Sequence, residues 1–425
     1  MADILWLSGN CMGADNYFLG GELITLDSEE RRARLVQRLR QYLELRNLNL
    51  LIGNGASLPL GAPRIGDVRQ IRGDFSNEPY RLKNAASQER ALKLLDKLVP
   101  ENTVLGVEPL LTALANVQAI DQLLGGSVSV AKNDLPATDA KDLERLLKKW
   151  LFQKCRALSE AAVNLKYHEE LLRRILLRST TLPRAKVFTL NYDLLLERAL
   201  DNLGVHYFDG FLGTITRTMR TESYHYDLYY PGETTEGRVS RVDRVLHLYK
   251  LHGSINWRRR ASPAGDVVIS HTEPAEAEYG DVMIYPSPLK VTEMNGYPYS
   301  EMFRHFSTHI HQPQSVLIVV GYAFQDNHVN RLIYQALTIP SFVLIVVTPD
   351  VSNSEIARLN DLKSKRVIIL TGAEKNAAGV YAKGAGTMQD FSTVWLPDIT
   401  ELNVESSARE EVKKMFDPTT APGTL

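Results

Sequence analysis

The chain has 425 residues, of which 44% are hydrophobic and 23% are charged, ordinary globular values that exclude a disordered or fibrous chain. Its 49 basic and 50 acidic residues nearly cancel, so the net charge provides no general attraction to nucleic acid or to anionic membranes. The length alone predicts about three domains. Only 2 cysteines occur, Cys11 and Cys155, which excludes a disulfide scaffold and a zinc ion held by four cysteines of this chain.

No stretch approaches the roughly 18 uninterrupted apolar residues of a membrane span. The start of the chain also lacks the basic flank and apolar run of a signal peptide. We therefore expect a cytoplasmic protein in a reducing compartment, with no membrane contact and no direct binding of nucleic acid.

The N-terminal part divides into an arm and the beginning of a folded body. Residues 1–27 are rich in glycine and carry scattered apolar side chains, which predicts an irregular arm that docks on the body or on another subunit. A helix is predicted over 29–45, with Asp27 or Ser28 as its cap. The apolar run 48–52 then predicts a buried strand that ends at the glycines behind it.

The pattern turns helical over 87–178, where no convincing strand is found. Apolar residues recur at helical spacing from Asp139 onward, and Gly125, Gly126 and Pro136 break the region into at least two parts. We predict an all-helical insertion over 87–178.

Strands and helices alternate after the insertion. Strands are predicted at 186–190, 245–251, 315–320, 342–347 and 366–370, with helices at 193–203, 299–311, 327–337 and 353–362. Continuous Val, Ile and Leu runs with helices between them indicate a parallel sheet. The predicted fold class is therefore α/β, a Rossmann-like parallel sheet with helices on both faces that is interrupted by the all-helical insertion. Loop with short strands is predicted over 262–298, and a flexible tail over 416–425.

The first motif that could carry chemistry is a glycine turn directly after the first buried strand. It reads Gly53-Asn54-Gly55-Ala56-Ser57, followed by Gly61-Ala62-Pro63. Glycine backbone at this place in an α/β sheet can approach a diphosphate closely. The alternative is a tight turn without ligand. No second strand with a terminal acidic residue follows about 20 positions on, which disfavours a conventional dehydrogenase.

The second motif is Thr189-Leu190-Asn191-Tyr192-Asp193, again at the end of a strand. Asn191 offers both a donor and an acceptor, and an ionised Asp193 offers only acceptors. Capping of the next helix by Asp193 is the alternative, but it leaves Asn191 unexplained.

The third and fourth motifs follow two later strands. His252-Gly253 ends one strand, where a histidine can titrate near neutral pH, although a structural histidine is the alternative. Gly321-Tyr322 ends the other, with Asp326 or Asn327 as a helix cap behind it. All four motifs fall at carboxyl ends of predicted parallel strands, where the ligand crevice of an open α/β sheet lies.

Together and in this order, the four motifs resemble the sirtuin family of NAD-consuming proteins. The resemblance covers roughly residues 48–86 and 184–372. It implies a sirtuin-like NAD-binding domain made of 28–86 and 179–415.

The resemblance also implies roles. His252 would be the base that acts on the nicotinamide ribose, and Asn191 would be the second catalytic residue. The implied NAD-binding residues are Gly53, Asn54, Gly55, Ser57, Pro63, Thr189, Asp193, Gly253, Gly321 and Tyr322. Cleavage of the nicotinamide bond builds positive charge on the ribose ring, which a neutral Asn and an acceptor Asp can stabilise.

Departures from the family pattern refine the function. Family deacetylases carry two Cys-x-x-Cys pairs that hold zinc after the histidine, and here no cysteine follows Cys155. We therefore expect no structural zinc, and protein deacetylation is disfavoured. The family's Asp-Phe-Arg after the proline is replaced by Arg64-Ile65-Gly66, and Asp67 or Arg69 could take over that loop's role.

The zinc-less core with a helical insertion resembles the sirtuin-like domains of bacterial antiphage defence. That resemblance implies an NAD glycohydrolase (NADase), a hydrolase with NAD as substrate that acts in abortive infection. It also implies a trigger by a HerA-type ATPase partner. A homo-oligomer is expected, with the arm and the insertion as assembly surfaces. The alternatives are a non-catalytic subunit that binds NAD or ADP-ribose, and an NAD-dependent protein deacylase.

Two smaller signals have ordinary explanations. His305, His309 and His311 share a predicted helix at a spacing that could bind metal, and a partly exposed helix face is the preferred explanation. Arg258, Arg259 and Arg260 form a basic run that we interpret as a solvated loop. We therefore assign no metal site.

Overall fold

The structure is a computed structural model of the chain. It describes residues 15–100, 103–124, 128–130, 133–231, 240–261, 267–271, 296–376 and 379–397. Cys11, most of the predicted arm, much of the predicted 262–298 loop and the predicted tail lie outside the described residues. The division of the chain into domains stays a prediction.

Strands and helices alternate over much of the described chain. The strands are β1 (Asn16–Leu19), β2 (Glu22–Thr25), β3 (Asn47–Ile52), β4 (Val128–Val130), β5 (Asn133–Leu135), β6 (Lys186–Thr189), β7 (His206–Phe208), β8 (Phe211–Leu212), β9 (Thr218–Met219), β10 (Val245–Lys250), β11 (Trp257–Ala261), β12 (Val267–His271), β13 (Ser315–Val320), β14 (Val343–Val347), β15 (Val367–Thr371), β16 (Glu374–Lys375) and β17 (Tyr381–Lys383). The helices are α1 (Glu29–Leu43), α2 (Val68–Ile71), α3 (Ala85–Leu98), α4 (Val107–Leu124), α5 (Ala137–Glu160), α6 (Lys166–Leu176), α7 (Leu195–Asn202), α8 (Tyr299–Ile310), α9 (Asn327–Ala336), α10 (Ser354–Asp361) and α11 (Met388–Asp390). Within the described ranges, none of these helices combines the length and the apolar character needed to cross a membrane.

A nine-stranded sheet forms the centre of the molecule, in the order β2-β1-β15-β14-β13-β3-β6-β10-β7. Every neighbouring pair from β15 to β7 is parallel, which confirms the predicted α/β class. The chain first extends the sheet from β3 through β6 to β10, and then returns to the other side of β3 with β13, β14 and β15. The direction of winding therefore changes between β3 and β13, the place where open α/β sheets form their ligand crevice.

Helices cover both faces of this sheet because alternate residues of each strand point to opposite sides. Leu50 and Ile52 of β3 join the core under α1, α6 and α7. Leu51 joins the core under α8, α9 and α10. The continuous apolar runs in β13, β14 and β15 have the same cause, since both faces of these strands are buried.

A separate helical unit packs beside the sheet. Its apolar core is supplied mainly by α2, α3, α4 and α5, with Trp150 among its fully buried side chains. Leu194 and Ile255, from the loops behind β6 and β10, belong to the same core. At the end of α5, the Ser159 hydroxyl accepts a hydrogen bond from the Leu194 amide at 3.0 Å. The helical unit therefore contacts two loops of the carboxyl edge directly.

Three local predictions were wrong. The stretch 16–25 is not irregular: β1 and β2 form a hairpin, and β1 pairs antiparallel with β15 because its apolar Tyr17 and Phe18 extend the buried sheet. Within the predicted all-helical insertion, β4 and β5 form a two-stranded sheet. The three arginines at 258–260 lie in β11, paired with β12, and not in a loop.

Candidate functional site

The turns behind β3 and β13 meet backbone to backbone. The Gly53 amide donates to the Val320 carbonyl at 2.9 Å, and the Gly55 amide donates to the Gly321 carbonyl at 2.8 Å. A Cβ atom on Gly53 would lie 2.6 Å from the Gly321 oxygen, and one on Gly321, whose φ is +67°, would lie 2.2 Å from the Ala56 nitrogen. These three glycines are therefore required by the contact between the two turns, and the amides of Gly53 and Gly55 are used within it.

Asn54 and Pro63 close the loop that follows. The Asn54 side-chain amide donates to the Pro63 carbonyl at 2.9 Å, which ties the first turn to the proline nine positions later. Behind Pro63, the Asp67 carboxylate accepts from the Arg69 amide at 3.0 Å and so caps α2. Asp67, one of the two candidates for the role of the family's loop, is thus engaged as a helix cap.

Thr189 connects β6 to β3 at the same edge. Its hydroxyl donates to the Ile52 carbonyl at 3.0 Å and accepts from the Asn191 amide at 3.0 Å. The threonine thereby bends the chain so that the Asn191 side chain lies against the glycine turn. This explains why a small hydroxyl side chain stands at the strand end.

Asn191, Ser57 and Asp193 form one buried chain of hydrogen bonds. The Asn191 side-chain amide donates to the Gly53 carbonyl at 3.3 Å and to the Ser57 hydroxyl at 3.1 Å, and the Ser57 hydroxyl in turn hydrogen-bonds the Asp193 carboxylate. Asn191 is 7% exposed, and its Oδ1 has no hydrogen-bond partner among the described residues. A buried acceptor of this kind is uncommon, since most buried polar atoms are hydrogen-bonded.

Asp193 has a second donor and a nearby cation. The Leu195 amide donates to its carboxylate at 3.1 Å, so the predicted link to the following helix is also present. Burial raises the pKa of the Asp193 carboxyl, while the Lys250 charge, the Leu195 amide and the Ser57 hydroxyl act in the opposite direction. The carboxyl therefore carries a negative charge only while these partners hold it ionised.

His252 is paired with a carboxylate across the edge. The imidazole is 6% exposed, and its Nε2 lies 3.1 Å from Oδ2 of Asp326. The other carboxylate oxygen accepts from the His328 amide at 2.9 Å at the start of α9. Asp326 is therefore the helix cap that the sequence predicts, and it is also the partner of His252. The contact with the carboxylate orients the imidazole ring.

Tyr322 braces the segment that carries Asp326. Its hydroxyl accepts from the Asp326 amide at 3.0 Å and donates to the Asn330 side-chain oxygen at 2.8 Å. The hydroxyl is thus used within the protein. A contact between Tyr322 and a ligand stays a prediction.

The structure brings the predicted site residues to four adjacent strand ends. The strands are β13, β3, β6 and β10, in this order in the sheet. The Tyr192 and His252 rings lie 6.3 Å apart, which links the Asn191 turn to the histidine. None of the predicted residues lies at a distant edge. Their roles toward a ligand stay predictions.

The sequence analysis did not identify two residues of this region, Lys250 and Glu197. Lys250 ends β10 with a side chain that is 4% exposed, and its Nζ lies 2.8 Å from a carboxylate oxygen of Glu197 in α7. The sequence does contain a signal: each charge stands within an apolar run, and the two have opposite signs. Buried charges are paired as a rule, so such a combination predicts an ion pair.

Two of the three histidines considered as metal ligands, His305 and His309, lie in α8, and His311 follows its end. His305 is 3% exposed and faces the core, so the prediction of a partly exposed helix face was wrong for it. Its ring centroid lies 5.5 Å from that of Tyr249, and burial lowers the pKa of His305 to about 4. Across the residues that the structure covers, no three His, Cys, Asp or Glu side chains are grouped so that they could hold a metal ion.

Comparison with known proteins finds a similarity over part of the chain. Residues 185–368 match the family model described as a SIR2-like domain. A mutant Sir2 homologue in complex with 2'-O-acetyl ADP ribose and a Sir2 homologue in complex with NAD are each 15% identical to this chain, with a TM-score of 0.36. Each covers 77% of this chain, and the alignments include 94% and 91% of the two homologues. No curated protein matches the chain. The matched range contains the Asn191 and His252 motifs and leaves out the glycine turn behind β3.

Proposed function

We propose that this protein binds NAD at the carboxyl edge of its sheet and hydrolyses it to ADP-ribose and nicotinamide. The observation that carries the proposal is the Asn191 carboxamide, whose buried oxygen lacks a partner among the described residues. Two acceptors fix the orientation of this amide, so the oxygen is preorganised for a ligand that donates a hydrogen bond. The amide and ribose hydroxyls of nicotinamide riboside are such donors. The SIR2-like match over 185–368 supports the same ligand class.

The reaction requires groups that stabilise a cation and accept a proton. When the bond between C1' and nicotinamide breaks, its electron pair leaves with the nicotinamide nitrogen and positive charge develops on the ribose. The Asp193 carboxylate, held by Lys250 and Ser57, stabilises that charge. Water then bonds to C1' and releases one proton.

His252 receives this proton in the proposed reaction. Its imidazole is oriented by the Asp326 carboxylate, whose Oδ2 lies 3.1 Å from Nε2. The carboxylate stabilises the imidazolium that forms, as in other histidine and aspartate pairs. Proton uptake by a positioned base contributes about 10²- to 10⁴-fold to a rate.

The test is release of nicotinamide from NAD by the purified protein. His252→Ala and Asn191→Ala should abolish turnover, while His206→Ala and Asn202→Ala, at exposed positions, should retain it. Full activity in both site variants would falsify the assignment. Binding of NAD without turnover would support the alternative of a non-catalytic subunit, and formation of an acyl-ADP-ribose from an acylated peptide would support the deacylase.

We further propose that the activity serves antiphage defence by abortive infection. In this proposal a HerA-type ATPase triggers a homo-oligomer of the chain, with the helical unit as one assembly surface. Direct contact of that unit with the loop of Asn191, through Ser159 and Leu194, gives a partner a route to the site. NAD turnover should therefore be measured with and without the ATPase, and an unchanged rate would remove the trigger from the proposal.

A further inference from the structure

A buried lysine joins β10 to the loop that carries Asn191. The three ammonium hydrogens of Lys250 meet three acceptors: a Glu197 carboxylate oxygen at 2.8 Å, the Asp193 carbonyl, and the Tyr192 carbonyl at 3.5 Å. An ammonium group has three donors and no acceptor, so all of its capacity is used. Lys250 therefore fixes both the backbone of the loop and the start of α7.

Two carboxyl groups interact with this one cation: Glu197 by direct contact, and Asp193 through the electrostatic effect of the Lys250 charge. Asp193 is 5% exposed and the Glu197 side chain is 15% exposed. Burial raises the pKa of each carboxyl, and the Lys250 charge lowers the pKa of each. One oxygen of Glu197, Oε2, has no hydrogen-bond partner among the described residues. The two acids thus compete for stabilisation by a single ammonium group.

Two further titratable groups interact with this cluster, and neither adds a positive charge. The Cys155 thiol from α5 lies close enough to interact with Asp193 and Lys250, and burial raises its pKa. The Tyr207 hydroxyl interacts with Glu197, and burial raises its pKa as well. Both are neutral near pH 7, so the charge balance of the cluster is set by Lys250 and the two carboxyls.

We propose that Lys250 is a positioning residue for the NAD site, which holds the loop behind β6 in place and keeps Asp193 ionised against competition from Glu197. This inference rests on the proposed function, because the value of an ionised Asp193 lies in the cationic ribose that it faces there. Lys250 itself touches neither substrate nor reacting atoms in this proposal. Its influence is exerted through Asp193 and the Tyr192 backbone.

The competition predicts that two substitutions have opposite effects on the pH profile of kcat/KM for NAD. The affected part is the acid limb, the range of low pH in which kcat/KM falls as Asp193 binds a proton. Lys250→Met removes the cation and keeps an unbranched stem, so Asp193 binds a proton more readily and the limb moves up by about one pH unit or more. Glu197→Gln removes the competing acid and leaves Lys250 to Asp193 alone, so the limb moves down. Lys250→Arg should restore most of the wild-type profile because the charge is kept.

A purely structural lysine would not produce this pattern. The proposal would be overturned if the acid limb moved in the same direction in Lys250→Met and Glu197→Gln. It would also be overturned if the limb did not move in variants that fold normally by circular dichroism. Because Lys250→Met leaves buried acids unpaired, it is the variant at risk of misfolding. Glu197→Gln leaves one cation beside one acid and remains decisive by itself.

Denaturant unfolding separates this inference from the proposed function. Removal of Lys250 raises the folded-state pKa of both acids further, and stability is regained as pH falls through those values. The urea midpoint of Lys250→Met should therefore approach that of the wild type between about pH 7.5 and pH 5. A midpoint difference that does not change with pH would contradict the electrostatic role, whether or not the wild type turns over NAD. A wild type without NAD turnover but with this convergence would overturn the proposed function and leave the electrostatic coupling between Lys250 and the two acids standing.

Discussion

Two pairs of turns at the carboxyl edge of the sheet differ in their contacts: the pair behind β3 and β13, and the pair behind β6 and β10. The first two turns meet through backbone alone, with Gly53, Gly55 and Gly321 so close that no side chain fits between them. The other two share one backbone hydrogen bond, from the Ile255 amide to the Tyr192 carbonyl at 3.2 Å, and are also joined by the buried Lys250 and Glu197 pair. A side-chain hydrogen bond from Asn191 to Ser57 connects them to the turn behind β3.

The difference shows which part of the edge is explained without a ligand. Packing accounts for all three glycines, so their presence would be required even in a protein that binds nothing there. Packing does not account for the unpartnered Asn191 oxygen or for two buried acids against one buried cation. Buried charge reduces stability unless it is fully paired, and proteins retain it chiefly at functional sites.

The largest effect is expected at the glycine junction. Gly321→Ala places a Cβ 2.2 Å from the Ala56 nitrogen at a φ of +67°, so the two turns must separate. We expect a loss of about 4 kcal/mol or more in the free energy of unfolding, measured by urea denaturation. Gly73→Ala is the matched control, since no atom lies within 4 Å of its Cβ, and it should change stability by less than about 0.5 kcal/mol. Equal stability of the two variants would contradict the claim that the contact between the two turns requires glycine at position 321.

The next effect concerns activity and not stability. Asp326→Asn keeps a good helix cap but loses the charge beside His252, and NAD turnover should fall about 10²- to 10⁴-fold. Unfolding should change by no more than about 1 kcal/mol. Asp201→Asn, at an exposed position at the end of α7, should leave turnover unchanged. A similar loss in both variants would remove the special role of Asp326.

An intermediate effect is expected in the polar chain. Ser57→Ala removes two buried hydrogen bonds, to Asn191 and to Asp193, and should cost about 2 kcal/mol at pH 7.5. The bond from Ser57 favours the ionised Asp193, whose folded-state pKa is raised by burial, so this part of the Ser57 contribution is lost as pH falls through that pKa. The deficit in unfolding free energy should therefore shrink at pH 5. Ser179→Ala, at an exposed position, should show neither change.

The smallest effect is expected at Asn54. Asn54→Ala loses one half-buried hydrogen bond to the Pro63 carbonyl and should lower the free energy of unfolding by about 1 kcal/mol. Asn54→Asp cannot donate this bond and should be at least as destabilising. A thermal melt of the three proteins measures both. An Asp variant as stable as the wild type would show that the bond does not hold the loop.

Much of the fold could be predicted from the sequence because local patterns and global topology agree. The apolar runs of β3, β13, β14 and β15 predicted buried parallel strands, and Ser28 caps α1 through the Arg31 amide as its position suggests. The hairpin β1–β2 was missed because its two strands are four residues each. Strands this short have little pattern of their own, and pairing with β15 stabilises them.

The sequence predicts which residues lie at the site but not which of their side chains contact one another. Position at strand ends identified Asn191 and His252, since parallel strands bring their carboxyl ends together. The pairing of His252 with Asp326 and the sharing of Lys250 by two acids depend on side-chain directions across strands that are distant in sequence. Opposite charges within apolar runs do indicate that Lys250 and Glu197 pair. No local pattern indicates that Asp193 interacts with the same cation or that Asp326 meets His252. The glycines were assigned to phosphate binding because close approach by a neighbouring turn and by a ligand favour the same residue.

Because β3 and β13 are neighbours in the sheet, the carboxyl edge cannot form during translation until β13 has been synthesised. Asn49 and Ser315 hydrogen-bond across these strands although they are 266 positions apart. At about 5–20 residues per second, translation of that interval takes roughly 13 to 53 s, during which β3 lacks its neighbour. The turn at Gly321 and the carboxylate of Asp326 emerge later still. Ribosome-bound chains therefore cannot assemble the edge until most of the protein has been made, so an incomplete chain lacks the proposed NAD site.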